Sequence, residues 1–110
     1  ADIVSAIESL LFQAPNQNEF NFSGDEDITI INLIKLICEL TSTKFDEIIS
    51  YGPERMGKDM NYRLNCESAK IELGWEPKTT LKDGIINVIN WIDRNKDFLA
   101  NESWEYKHLL

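Results

Sequence analysis

The residues best suited to chemistry lie within Gly52–Trp75, GPERMGKDMNYRLNCESAKIELGW. Its opening, Gly52-x-x-x-x-Gly57-Lys58 followed by Asp59, stops one residue short of a phosphate-binding P-loop. Such a loop requires a hydroxyl after the lysine to ligate Mg²⁺, a buried strand before it, and a helix whose N-terminus faces the phosphates. Here a carboxylate follows Lys58, Glu54 would intrude into the cradle, and Met60-Asn-Tyr62-Arg-Leu64-Asn alternates as a strand does. Without the P-loop reading, three polar groups remain in a glycine-bearing loop. Arg55 offers a planar guanidinium fork that matches a diphosphate, Lys58 a flexible point charge, and Asp59 a carboxylate hydrogen-bond acceptor.

Other chemistry-bearing residues have plainer readings. Asp25-Glu26-Asp27 places three carboxylates side by side, without the alternating ligands and glycine of a calcium loop, and reads as a solvated turn. His108 has no cysteine or carboxylate at ligand spacing and reads as a surface histidine. Tyr62 reads as packing in a small sheet, and Trp75 and Trp91 as core, since large aromatics dominate burial energetics. Cys38 and Cys66, the only cysteines, read as reduced thiols of a cytosolic protein.

The elements that must position these groups fit one domain of 110 residues. With 43% hydrophobic residues the chain can build a core, and its net charge of −8 repels nucleic-acid backbones and anionic membranes. No apolar run of about 18 residues spans a bilayer, and ADIVSAIESLLF lacks the basic leader of a signal peptide. The sequence opens almost directly on an amphipathic pattern, which suggests a piece of something longer.

Ile3, Ala6, Ile7, Leu10 and Leu11 share a helical face, with Asp2 placed to cap it and Pro15 beyond its end. A second helix over about Ile30–Leu40 carries apolar residues on several flanks, as expected of a helix covered on more than one side. A short helix capped by Asn65 stops at Leu73, where Gly74 supplies the left-handed residue. Thr80-Leu-Lys-Asp83 opens a last helix with Leu81, Ile85, Val88, Ile89 and Ile92 on one face. Residues 97–110 are expected to fray. Glu19–Phe22, Phe45–Tyr51 and Met60–Leu64 are expected as strands, so the predicted fold is a mixed α/β lobe of about four helices and three short strands.

Taken in order, Phe22-Ser23-Gly24, the Ile31–Leu40 helix, Arg55-Met-Gly57-Lys-Asp59, Tyr62 and Glu72-Leu73-Gly74-Trp75-x-Pro77 resemble the C-terminal part of the extended short-chain dehydrogenase/reductases. Among these, the dTDP-glucose 4,6-dehydratase-like nucleotide-sugar dehydratases and epimerases match best, over roughly residues 2–96. The resemblance implies a cytoplasmic lyase or isomerase in which residues 1–110 form a single substrate-binding lobe. An N-terminal Rossmann lobe of the same polypeptide would hold NAD and a catalytic Tyr-x-x-x-Lys, and the enzyme would form a homodimer. It further implies that Arg55 contacts the substrate diphosphate and Asp59 the ribose region, while Lys58 replaces a usual histidine. Ile30 stands where dehydratases carry a polar residue near the nucleotide.

Neither a glycine-rich dinucleotide loop nor a Tyr-x-x-x-Lys occurs in the sequence, so these residues alone are expected neither to hold NAD nor to turn over substrate. A competing reading is a non-catalytic acidic carrier or adaptor, or a stand-alone structural module. Glu8-Ser9-Leu10 resembles a carrier attachment site, but Ser9 falls inside the first helix instead of opening one.

Overall fold

The computed structural model describes residues 1–13, 19–53, 56–57 and 59–103. Its regular elements are helices: α1 (Asp2–Gln13), α2 (Ile30–Thr41), α3 (Phe45–Ile48), α4 (Glu67–Leu73), α5 (Leu81–Arg94) and α6 (Lys96–Ala100). α1 packs on α4, α2 on α5, and the short α3 and α6 follow their preceding long helices.

Helix ends follow local chemistry. Thr29 caps α2 by accepting the Asn32 amide at 3.3 Å, and Thr80 caps α5 by accepting that of Asp83 at 3.1 Å. The Asp83 carboxylate accepts from the Thr80 hydroxyl at 2.7 Å instead of reaching the Thr80 backbone amide, as a full capping box would. Asn65 Oδ1 accepts the Glu67 amide at 2.9 Å and so covers the start of α4. Gly74 ends that helix at φ +59°, a left-handed conformation that costs glycine least, and the Trp75 amide folds back onto the Ala69 carbonyl at 3.2 Å.

The core centres on Trp75. Ala6 of α1 and Ala69 of α4 are fully buried, small side chains that let the two helices approach closely, and Leu73 completes their contact. Phe22 meets the Trp75 ring edge-on at 4.9 Å between centroids, and Phe20 stacks beyond it. The indole N–H donates to the Asp2 carbonyl and to Ser5 Oγ, both at 3.1 Å, so burial leaves it no unpaired donor.

No strand occurs among the described residues, which overturns the expected α/β lobe with three strands. In Glu19–Phe22 the alternation is real, since Phe20 and Phe22 turn to the same core. With Met60–Leu64, the segment that could pair with it, no backbone ladder forms; the Asn21 side chain instead donates to the carbonyl of Asn65, just beyond that segment, at 3.4 Å. An alternating pattern selects a face; it does not supply a partner strand. Phe45–Ile48 is helical instead. Asp46 and Glu47 sit in its first turn, favoured by the helix dipole, and Lys44 pairs with Glu47 at 3.2 Å. The apolar run Ile48-Ile49 is too short to choose between strand and helix by periodicity.

Candidate functional site

Two loops face each other across a cavity of about 600 Å³. One is Ser23–Asp27, between Phe22 and α2; the other is Tyr62–Cys66, leading into α4. Trp75, Glu76 and Pro77 close its base. The Ser23 hydroxyl and Cys66 thiol share a hydrogen bond at 3.3 Å across the gap, and Asp27 pairs with Arg63 at 2.8 Å. Lys70 of α4 pairs with Glu76. Their hydrogen bond and mutual attraction raise the Lys70 ammonium pKa and lower that of the Glu76 carboxyl.

Five carboxylates line this cavity, Asp25, Glu26, Asp27, Glu67 and Glu76, against the two cations Arg63 and Lys70, both of them paired. Such a surface accepts hydrogen bonds from hydroxyl groups and repels phosphate. Tyr62 lines the cavity, is 83% exposed and packs in no sheet, which corrects the packing role expected of it. The acidic turn is also more than solvated charge. Glu26 reaches across to accept the Leu81 amide at 2.9 Å, covering a free N–H at the start of α5, while Asp27 holds Arg63. Neither role had a signal in the sequence, because each partner lies more than 30 residues away.

A second junction ties α1 to α5. The Asp2 carboxylate does not cap its own helix; it accepts the Thr79 amide at 2.9 Å, the Thr79 hydroxyl at 3.0 Å and the Lys78 amide at 3.0 Å. The Thr79 amide leads in lowering the Asp2 pKa. Beside this junction an apolar groove of about 740 Å³ runs from Ile3 to the α5 stripe.

Of the three site residues expected from sequence, Arg55 and Lys58 lie outside the described residues, as does His108. Asp59 is exposed, close to Gly57, whose φ of +76° suits glycine far better than any residue with a β-carbon. Ser9 sits inside α1, away from any helix start. Cys38 is buried, Cys66 only partly so, and both are free thiols. Among the described residues no helix is long and apolar enough to cross a membrane.

No family model matches the sequence. Curated proteins do. The chain is 32% identical to a dTDP-glucose 4,6-dehydratase of Escherichia coli over 89 residues, covering 72% of this chain and 25% of that enzyme. It is 27% identical to the dTDP-glucose 4,6-dehydratase of Xanthomonas campestris pv. campestris over 112 aligned positions, 94% of this chain and 30% of the enzyme. The Haemophilus influenzae enzyme of the same name is 27% identical over 100 residues, 82% of this chain and 30% of the enzyme. The chain thus spans about a quarter to a third of the length of the curated relatives it matches, and is related to that portion of dTDP-glucose 4,6-dehydratases.

Proposed function

We propose that residues 1–110 form the C-terminal, nucleotide-sugar-binding lobe of an NAD-dependent, cytoplasmic nucleotide-sugar 4,6-dehydratase. In this reading Arg55 grips the substrate diphosphate, with Lys58 adding charge at the phosphates or ribose, and Asp59 accepts from ribose hydroxyls. The observation that carries it is the similarity to dTDP-glucose 4,6-dehydratases, which reaches 94% of this chain. Each relative cited above is named as a dehydratase, which favours water elimination over epimerisation. The charge distribution agrees. The cavity beside Tyr62 is acidic and suits hydroxyls better than phosphate, while the resemblance puts the diphosphate on the cationic Arg55 and Lys58.

Residues 1–110 contain no glycine-rich turn for a dinucleotide, so NAD does not fit here and belongs on an N-terminal Rossmann lobe of the same polypeptide, through which the enzyme would dimerise. The part of residues 1–110 is to bind and orient: contacts to the diphosphate, remote from the reacting carbon, fix the sugar in place and close the site to water. In the intact polypeptide, Arg55→Ala should raise KM for dTDP-glucose by about tenfold or more, the loss expected of a charge-assisted bidentate contact, while kcat falls much less. Unchanged kinetics would remove Arg55 from the site.

A further inference from the structure

The chain between Asp59 and α4 has little hold of its own. Among the described residues, Met60–Leu64 makes no backbone-to-backbone hydrogen bond. Three side-chain ties link residues 63–66 to residues 21–27 instead. Asn21 donates to the Asn65 carbonyl at 3.4 Å, Ser23 and Cys66 share a hydrogen bond at 3.3 Å, and Arg63 pairs with Asp27 at 2.8 Å. The ion pair is the shortest of the three, is charged on both sides, and lies nearest to Asp59 in the chain. It also joins segments more than 30 residues apart, whereas Lys44–Glu47, Lys70–Glu76 and Lys96–Asp93 are each local. The far side of the pair is anchored. Phe22 packs edge-on against buried Trp75, and Glu26 accepts the Leu81 amide at 2.9 Å.

We propose that Asp27 is a positioning residue for nucleotide-sugar binding: through Arg63 it steadies the Met60–Leu64 segment and so keeps the Arg55–Asp59 loop in its binding conformation. This inference rests on the role assigned to that loop under the dehydratase reading. With the pair broken, the loop samples other arrangements, and apparent affinity falls with the fraction that remains competent. The Arg63 and Asp27 side chains are 71% and 67% exposed, so the effect is modest, about two- to fivefold.

The test compares Asp27→Asn, Arg63→Gln and the double variant in the intact polypeptide by two readouts. The first is steady-state turnover of dTDP-glucose. Each single variant should raise KM about two- to fivefold with a smaller change in kcat, and the double variant should do no more than either alone. Asp27→Glu, which keeps the charge, should stay closer to wild type than Asp27→Asn. The second readout needs no turnover: alkylation of Cys66 by neutral iodoacetamide, located by mass spectrometry, with buried Cys38 as internal standard. Both single variants should speed Cys66 labelling relative to Cys38. They alter the local charge in opposite senses, so acceleration by both reports loosening and not a changed thiolate fraction. Cys66 labelling that ignores both substitutions overturns the inference, as does an active enzyme whose KM is unmoved or whose single effects multiply in the double variant. Accelerated labelling in a protein whose wild type does not turn over dTDP-glucose defeats the dehydratase reading alone.

Discussion

The two helix pairs of this lobe are built on different terms. α1 and α4 close on each other through Ala6, Ala69 and Leu73, with Trp75 sealed beneath Phe22 and its indole N–H bonded twice. α2 and α5 also touch, yet none of the residues of α5 is buried, and its apolar stripe stays half open to solvent. The first pair holds itself together by burial. The second is held by its ends, with Thr80 and Glu26 on the N-terminal amides of α5 and Asp2 gripping the preceding connector. The first pair holds the buried centre of the lobe, while the second leaves its apolar stripe half exposed.

The largest effect that could break this contrast comes from the two tryptophans. Trp75→Ala should cost about 3–5 kcal/mol, as truncation of buried aromatics does, whether residues 1–110 are studied alone or within the intact polypeptide. Trp91→Ala, at a half-exposed position, should cost far less, both read from urea unfolding. Equal costs in residues 1–110 alone would mean that the halves do not differ.

A smaller effect sharpens it. Thr80→Ala removes the hydroxyl that receives the Asp83 amide and should cost about 1 kcal/mol. Hydrogen exchange should place that loss in α5, with α1 and α4 unchanged; uniform loss would show a single cooperative unit.

The smallest concerns the junction between the halves. The Asp2 pKa is lowered in the folded state, so its stabilising contribution is complete above the ordinary carboxylate range and is lost as pH falls through the lowered folded value. Urea midpoints of wild type and Asp2→Asn should therefore differ at neutral pH and converge in acid. A gap that persists in acid would assign the effect to something other than the charge.

The ends of α4 and the start of α5 were readable because they rest on near neighbours, Gly74 for a left-handed stop, Asn65 and Thr80 at the N-termini, whereas Asp2, expected to cap α1, bonds Thr79 and Lys78 instead. The three strands were misread for a related reason. Alternation at Phe20 and Phe22 reports which face is apolar, but pairing depends on a partner segment that local sequence does not contain. Trp91 was misread as core because its size argued for burial, which residue type alone does not decide; on α5 it is 52% exposed. Glu26 and Arg63 were invisible as cavity partners, since each acts across more than 30 residues of chain. Asp59 is exposed and Arg55 and Lys58 lie outside the described residues, so for all three the assignment rests on resemblance.

The central claim is that this lobe holds a nucleotide-sugar by its diphosphate. Steady-state turnover of dTDP-glucose by the intact polypeptide, wild type against Arg55→Ala, tests it most directly. The account predicts a 4-keto-6-deoxy product, with a KM that climbs steeply in the variant while kcat is largely kept. Absence of product, or a KM indifferent to the loss of the guanidinium, would contradict it.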